Sequence, residues 1–559
     1  MQKAESGRQS FDFRFDTASP VSVRSGLAKG GMQKAEIRMR RVEMTDRRYG
    51  VNQYGDGKLY GSSDTREALA WDVSIDWDED SIFDANEASW LTSVSITRGR
   101  TRLLKDVGQG FESISTGTAV ITLRNQDGRF DGWNTGSPLY PNVNYGKDIR
   151  IRVRDLNAAN AIYPLFRGTI TNIVPVGYGD DAKVIIYASD GLELLRNYVA
   201  RVAMQQNITP DAAIGKVLDA VNWPSKWGRN LDVSSETIRY WWASGNKQAM
   251  SEIEDLALSF LGYFFVDANG GARFIKRSNV SSLVASFSQE MILKDIGNPQ
   301  PYELRRNITR LKVHPRTAAA TGVIWQLLGN IPSVSPGGAN ALSLFANYAY
   351  NNIPTPAINV ITPVATTDYL VNSQSDGLGT NLTGSCTVSL TDFGDSAKLV
   401  ITNNSGTLGY ITFLRVRGDA IYEPNVSDIT YPSDISAIKM PRELLMDLLW
   451  QQDINVAVDI SNVLGPFYDS AHPVPTVKID DRPDLQYLAD LFDIVAPDID
   501  YLGIAGSFRV GGIEISTDPQ YENCQKAQTI WHLEPYVSAA NYMQWDTNAV
   551  WDTSTVFGW

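Results

Sequence analysis

Cysteine and histidine are scarce in this 559-residue sequence, which has two of the former and three of the latter. Cys386 and Cys524 lie far apart, and two thiols cannot form a metal cluster alone. We therefore predict that both are reduced, as in a protein that folds in a cytoplasm. His314, His472 and His532 each stand alone in their stretch, which favours structural or surface roles. No HExxH or GxSxG motif occurs, so metalloprotease and α/β-hydrolase chemistry lack their ligands or nucleophile.

Long apolar runs and an excess of positive charge are also missing. The first residues contain no apolar run of the secretory-signal type. No stretch approaches the ~20 apolar residues that a membrane helix needs, so we predict no membrane anchor. Lys and Arg number 50 against 63 Asp and Glu, a net charge of −13. This balance disfavours binding of nucleic acid along the whole surface, yet an acidic wall would let a polyanion slide past.

Aromatic and turn-forming residues are plentiful instead. The 14 Trp, 24 Tyr, 44 Gly and 25 Pro favour strands joined by tight turns over long helices. A chain of this length is expected to hold several domains, because single cores stop growing well below it. The predicted fold class is mainly β and multidomain, with small β-barrels, an α+β unit and an inserted β-sandwich.

Changes in pattern along the chain predict six segments. They are an N-terminal arm (1–70), a first β-barrel domain (71–190), an α+β domain (191–321), an inserted β-sandwich (322–420), a helix plus second β-barrel domain (421–536) and a C-terminal tail (537–559). The arm carries the five-mer MQKAE twice, at 1–5 and 32–36, with little periodicity around it. We expect it to be extended. The insert is nearly free of charge and rich in Thr, Ser, Asn and Gly.

Periodicity distinguishes the strands from the helices. In Lys147–Asp155 apolar and basic residues alternate, which is typical of a half-buried strand. Phe264–Arg277 reads as a hairpin that turns at Asn-Gly-Gly. Helical spacing predicts four helices. These are GLELLRNYVARVA (191–203), a segment from Pro210 with Thr209 as N-cap, a segment around 247–261, and a stretch within PRELLMDLLWQQDINVAVDISNVLG (441–465).

One acidic loop has the spacing of a calcium-binding loop. Residues 76–87 follow D-x-D-x-D-G-x-x-D-x-x-E. The matching positions are Asp76, Asp78, Asp80, Asp84 and Glu87, with the backbone carbonyl of Ile82 as a sixth ligand. So many carboxylates need a cation or solvent to relieve their repulsion. Ser81 replaces the usual glycine, and a solvated loop without Ca²⁺ remains the alternative. A bound ion here would be a structural brace.

Three further patterns do not identify a function by themselves. The run Arg98–Lys105 suits a phosphate-binding patch, but a strand edge that meets acidic residues of a neighbouring subunit is favoured. A glycosidase needs only two carboxylates, and with 63 acidic residues such a pair is uninformative. Aromatic residues near the C-terminus suit either sugar stacking or interface anchoring. They are Trp531, Trp545, Trp551 and Trp559.

Four stretches of the sequence resemble the central hub proteins of bacteriophage tails and related baseplates, including siphophage minor tail proteins. They occur in the order expected of these proteins. The first, TAVITLRNQDGRFDGWNTGSPLYPNVNYGKDIRIRV, is similar to their strand–turn–strand signature around DGRF and SPLY. The second joins a helix to a hairpin, the third is a helix before a Pro-flanked strand, and the fourth ends in TIWHLEP. The stretches are Thr118–Val153, Ile253–Arg277, Pro441–Ile479 and Leu491–Pro535.

This resemblance implies a structural protein of the virion, located at the tail tip and assembled in the host cytoplasm, and no enzyme. It implies a homotrimer of two-barrel subunits, whose six barrels stack on a hexameric tail tube and step its symmetry down to three. Implied partners are the tail tube or distal tail protein, the tape measure protein and a central fibre or receptor-binding protein. DNA would pass through without specific binding. A hairpin over 130–141 is the expected subunit or tube contact, through Phe130, Trp133 and Tyr140.

A second function remains open from the residues themselves. The Thr/Ser/Asn-rich insert and the aromatic tail also suit a glycan-binding or glycan-depolymerising tail protein built from β modules. Affinity for a polysaccharide, lost when exposed tryptophans are replaced, would distinguish it from a hub.

Overall fold

The computed structural model describes most of the chain from residue 69 onward. The described residues are 52–53, 59–60, 69–83, 85–100, 112–156, 160–277, 279, 282–288, 295–297, 305–338, 340–436, 438, 440–470, 472–480, 482–499, 502–517, 524 and 526–536. Residues 1–64 and 65–559 form two separate units. Most of the predicted arm, both MQKAE copies and the tail 537–559 lie outside the described residues.

The structure is mainly β, as predicted. The helices are α1 Gly191–Asn197, α2 Pro210–Ala220, α3 Ala249–Ser259, α4 Ile454–Asp469 and α5 Pro483–Gln486. The strands are β1 Asn52–Gln53, β2 Leu59–Tyr60, β3 Leu69–Asp76, β4 Ala85–Asn86, β5 Leu91–Gly99, β6 Ser115–Arg124, β7 Asp148–Asp155, β8 Ala161–Val176, β9 Lys183–Ser189, β10 Val199–Ile208, β11 Arg229–Leu231, β12 Ile238–Gln248, β13 Tyr263–Val266, β14 Ala272–Ile275, β15 Leu283–Ser288, β16 Asp295–Gly297, β17 Ile308–Val313, β18 Thr317–Ala318, β19 Gly322–Gln326, β20 Ser333–Val334, β21 Leu342–Asn347, β22 Ala349–Tyr350, β23 Ile353–Pro354, β24 Ala357–Ile361, β25 Tyr369–Asn372, β26 Cys386–Asp392, β27 Ser396–Asn403, β28 Gly409–Tyr422, β29 Ser427–Tyr431, β30 Glu443–Leu448, β31 Thr476–Asp480, β32 Ile494–Ile499, β33 Ile504–Ala505, β34 Phe508–Thr517 and β35 Ala527–Pro535.

A sheet of fourteen strands holds both regions that were expected to form barrels. Its main path is β16-β31-β35-β34-β5-β6-β9-β8-β7-β3-β4, and β32 joins it at β34 together with β15 and β33. The two halves meet where β5 pairs antiparallel with β34, with Ile96 opposite Ile515. Over the described residues the sheet path does not close on itself. The predicted barrels are therefore parts of one open sheet.

The alternating pattern of β7 is confirmed by its burial. Ile149, Ile151 and Val153 are buried in the core, while the arginines between them point to the other face. The β strand alternation places every second side chain on the same face, so a single apolar series is enough to anchor the strand.

The α+β unit follows β9 in the chain. Thr209 is the N-cap of α2 with Pro210 at the first position, and α3 leads into the antiparallel hairpin of β13 and β14, as predicted. The prediction for 191–203 was wrong in its second half. The helix ends at Asn197, and the residues after it form β10, which pairs with β12. Pairing with a distant strand overrides the local helical spacing.

The insert has a hydrophobic core of its own. The long strand β28 pairs with β18, β19, β20, β24 and β25, and a three-stranded sheet of β21, β27 and β26 completes it. Leu399, Ile401 and Leu414 are among its buried residues, and so is Cys386. A layered β insert was predicted here.

A small sheet, β29-β17-β30, lies where the insert begins and ends. Helix α4 packs on it through Ile460 and Leu464. The helix predicted within 441–465 was wrong in its first part. Leu444, Met446 and Leu448 instead alternate into the core from β30, which runs parallel to β17. In the part of the chain that the structure describes, no helix is long and apolar enough to span a membrane.

Candidate functional site

The acidic loop follows β3 directly. Asp76 ends this strand opposite Asp148 of β7, and its side chain is buried. The loop turns back because Glu79 and Ser81 both have positive φ, at 65° and 71°. The Ser81 backbone N–H donates to Asp76 Oδ2 at 3.0 Å, which closes the turn. Ser81 thus adopts the left-handed conformation for which calcium loops normally use glycine.

The structure brings three of the predicted ligands together. Ligand oxygens of Asp76, Asp78 and Asp80 all lie within 4.8 Å of one another. Asp78 and Asp80 are exposed, whereas Asp76 is 1% exposed. The cluster therefore contains one buried carboxylate, that of Asp76, and two exposed ones, those of Asp78 and Asp80.

Two other predicted ligands are placed elsewhere. Glu87 is buried, and its Oε1 accepts from Trp77 Nε1 and from the Arg129 guanidinium, both at 3.1 Å. Glu87 is therefore committed to an ion pair, which corrects its assignment as a calcium ligand. Ile82 is exposed and its N–H donates to Asp80. Asp84 lies outside the described residues.

Basic side chains surround the loop on the protein side. Lys147 Nζ is 2.8 Å from Glu79 Oε1, and this hydrogen bond and charge lower the pKa of the Glu79 carboxyl. Asp148 is bound by Arg167 at 2.8 Å and by Lys226 at 3.1 Å. The neighbouring carboxylates thus already have cationic partners.

The segment 125–147 connects β6 to β7 by successive turns. The structure contains no hairpin over 130–141, because β6 pairs with β5 and β9 while β7 pairs with β8 and β3. Side chains of the turns bond to nearby backbone. Asn125 Oδ1 accepts from the Phe130 N–H at 2.9 Å, and Asn134 Nδ2 donates to the Gly128 carbonyl at 3.0 Å. The turn of the strand–turn–strand signature around DGRF is present, but it joins strands that are not neighbours in the sheet.

The predicted contact residues separate into core and surface. Phe130 has no exposed surface and packs against Trp77 and Trp90, so it is a core residue, not a contact residue. Trp133 is 93% exposed and Tyr140 is about half exposed. Only these two remain available to a partner.

The basic run that begins at Arg98 has its acidic partners within the same chain. Arg98 binds Asp490 at 2.7 Å and also donates to the carbonyls of Leu165 and Val266. Arg100 and Glu534 form a buried two-point ion pair. The expected contact with a neighbouring subunit is thus corrected for both arginines, and neither is free to bind phosphate. Residues 101–105 lie outside the described residues.

The structure also shows the surroundings of Trp531, of two histidines and of both cysteines. Trp531 is fully buried against Phe287, so it offers no face to a sugar; the other three C-terminal tryptophans lie outside the described residues. His532 contacts Glu514, and His472 stacks on Phe467. Cys386 and Cys524 are buried and unpaired.

His314 takes part in a cluster that sequence reasoning missed. Its Nδ1 lies 3.0 Å from Glu423 and its Nε2 lies 2.6 Å from Asp447. The hydrogen bond to Glu423 raises the pKa of His314, against the effect of burial, and Asp447 adds to the rise. Arg316 also pairs with Glu423 and stacks over Trp450. No local pattern signals this cluster, because Glu423 and Asp447 lie 109 and 133 residues from His314 in sequence.

Solved structures similar to this chain include phage tail proteins. A 43 kDa tail protein of prophage MuSo2 from Shewanella oneidensis is 10% identical, with a TM-score of 0.43, over 81% of this chain and 95% of that one. A tail protein from Neisseria meningitidis MC58 is 9% identical, with a TM-score of 0.41, over 85% and 99%. The prophage tail protein gp18 from Listeria monocytogenes is 8% identical, with a TM-score of 0.40, over 82% and 94%. No protein-family model and no curated protein matches the sequence.

Proposed function

We propose that this chain is a structural protein of a phage tail and forms the hub at its distal end. As a homotrimer it joins the hexameric tail tube to the threefold tip and leaves a central channel for DNA. Its role is packing and symmetry matching, with no reaction to catalyse.

The observation that carries the proposal is the convergence of the four hub-like stretches on one core. The fourth stretch meets the second where Phe492 packs on Tyr263 and Phe265, with ring centroids 4.6 and 5.0 Å apart. It meets the third where Trp531 of β35 lies opposite Val477 of β31. The insert has a separate core. All four stretches thus contribute residues to the main core, although β30 and α4 of the third also form the small core on β17, and the insert is left out.

The first stretch joins the same core through the centre of the large sheet. β6 pairs with β5, and β5 pairs with β34 of the fourth stretch. Arg98 of β5 ties this junction to the α+β hairpin and to the C-terminal region, since its guanidinium reaches Val266 and Asp490. Two sheet halves in each chain supply six halves in a trimer, which suits a sixfold tube.

The test is the oligomeric state of the full chain by native mass spectrometry and electron-microscope class averages. A hub gives threefold rings with a central opening, alone or on added tail tubes. A compact monomer at micromolar concentration that also leaves tubes unbound would contradict the proposal. The variant Trp133→Ala examines the exposed turn segment, and Tyr178→Ala is its matched control, because Tyr178 is also 93% exposed. Loss of rings in the first variant alone would assign the contact to the turn segment.

A further inference from the structure

We propose that Asp76, Asp78 and Asp80 bind one calcium ion, which fixes the loop between β3 and β4. This inference goes beyond the hub proposal and does not depend on it. One ligand oxygen from each aspartate lies within 4.8 Å of the other two. Two oxygens that each bind the same Ca²⁺ at about 2.4 Å are at most about 4.8 Å apart. The spacing of the cluster is therefore within the reach of one ion.

The buried aspartate provides an independent reason for a ligand. Asp76 Oδ1 is buried and has no hydrogen-bond partner among the described residues, while its Oδ2 accepts from the Ser81 N–H. A buried carboxylate oxygen without a partner loses its hydration and gains nothing in return. A cation bound at the cluster supplies the partner that Asp76 Oδ1 lacks.

The nearby lysine does not neutralise the negative charge of the three aspartates. Lys226 Nζ is 3.1 Å from Asp148 Oδ2 and 4.0 Å from Asp76 Oδ2, so its ammonium group lies nearer Asp148. Within the described ranges, Asp78 and Asp80 have no ion pair. Carboxylates this close repel one another unless a positive charge lies between them.

The ligand chemistry favours calcium over other divalent ions. Carboxylate oxygens suit hard cations, whereas zinc prefers nitrogen and sulfur ligands. Ca²⁺ accepts six to eight oxygens in flexible geometry, and Mg²⁺ needs a near-ideal octahedron at about 2.0–2.1 Å. The exposed side of the cluster lets water complete a calcium shell. Because Glu87 is paired with Arg129, the site has three aspartates and lacks the bidentate glutamate of a standard calcium loop.

The first experiment uses Tb³⁺ as a luminescent substitute for Ca²⁺ on the full chain. Trp77 lies between two of the proposed ligands in sequence, so excitation of tryptophan should sensitise bound Tb³⁺. We expect saturable emission with one ion per chain, lost when Ca²⁺ is added and retained when Mg²⁺ is added at the same concentration. Absence of saturable emission, or equal displacement by Mg²⁺, would overturn the assignment to calcium.

Variants then locate the ion. Asp78→Asn and Asp80→Asn keep the side-chain shape and remove one charge each from exposed positions, so folding is not at risk. Each should weaken Ca²⁺ binding roughly tenfold or more, measured by calorimetry, because ligand charge sets the affinity of such sites. Glu79→Gln is the matched control in the same loop, since Glu79 is paired with Lys147. Wild-type affinity in both aspartate variants would exclude the cluster as the site.

Discussion

The Arg129 guanidinium lies against the Glu87 carboxylate at 3.1 Å and fastens the turn segment 125–147 to the end of the acidic loop. The Glu87 side chain is almost fully buried, and its other hydrogen-bond donor is Trp77 Nε1. One ion pair thus joins the acidic loop and the turn segment, the two regions for which the sequence predicted functional residues. It also explains why Glu87 is not available as a metal ligand.

Replacing Arg129 should be costly because it leaves Glu87 as a buried charge without its cation. We expect Arg129→Ala to lower the free energy of unfolding by about 3–5 kcal/mol, as measured by urea denaturation. The control is Arg482→Ala, which breaks the exposed pair with Asp484 and should cost no more than about 1 kcal/mol. Similar small losses in both variants would contradict the role given to the pair.

Phe130 and Trp133, three residues apart, should respond in opposite ways to truncation. Phe130→Ala removes a ring from the core and should lower the free energy of unfolding by about 3–5 kcal/mol. Trp133→Ala removes an exposed ring and should change it by less than about 0.5 kcal/mol, while weakening the proposed trimer. Thermal unfolding and native mass spectrometry separate the two effects. A strongly destabilised Trp133→Ala chain would show that this ring is not a surface residue.

The His314 cluster should make stability depend on pH near neutrality. The folded-state pKa of His314 is raised, so its contribution is complete below the unfolded value of 6.5 and is lost as the pH rises through the higher folded value. The difference in melting temperature between wild type and His314→Gln should therefore be largest in mildly acidic buffer and shrink in alkaline buffer. His532→Gln, which alters a different histidine–carboxylate contact, is the control. A difference that is constant with pH would rule out protonation as its cause.

Glu252 should destabilise the protein when it is ionised. Burial raises its pKa from 4.5 to about 7, so the carboxyl costs least stability below pH 4.5 and most above pH 7. Glu252→Gln should raise the free energy of unfolding by about 1–3 kcal/mol at about pH 8 and by little at about pH 5. Denaturant titrations at both pH values measure this, with Glu193→Gln as the control on a partly exposed helix position. An equal effect at both pH values would point to packing instead of charge.

Local patterns predicted much of the fold. The alternation of Ile149, Ile151 and Val153, the Thr209-Pro210 start of α2 and the Asn-Gly-Gly turn each depend on neighbours in sequence, and each was confirmed. The change in amino-acid composition at the insert likewise marked a segment with its own core. Such signals are reliable because the forces behind them act within one turn or one strand.

The errors arise where distant partners decide the structure. Leu444–Leu448 has helix-forming leucines and methionine, but β17 offers it a parallel strand partner. Arg129 lies 42 residues from Glu87, and Arg100 lies 434 residues from Glu534, so neither ion pair leaves a local trace. The spacing of the acidic residues was enough to predict the three-aspartate cluster. It could not show that Glu87 pairs with Arg129 instead of joining the cluster.

The insert leaves and rejoins the rest of the chain at one point. Val313, at the end of β17, lies directly opposite Ser427, at the start of β29. The segment between them also contacts the α+β unit, since Ile358 and Ile421 pack against Tyr240 and Arg201 pairs with Asp395. A replacement segment therefore needs two ends one strand spacing apart, to keep the register of β17 and β29, and also a surface that covers Tyr240. The insert is thus joined to the rest of the chain twice, by the paired ends of β17 and β29 and by this side contact, so its removal would expose Tyr240, which is now buried.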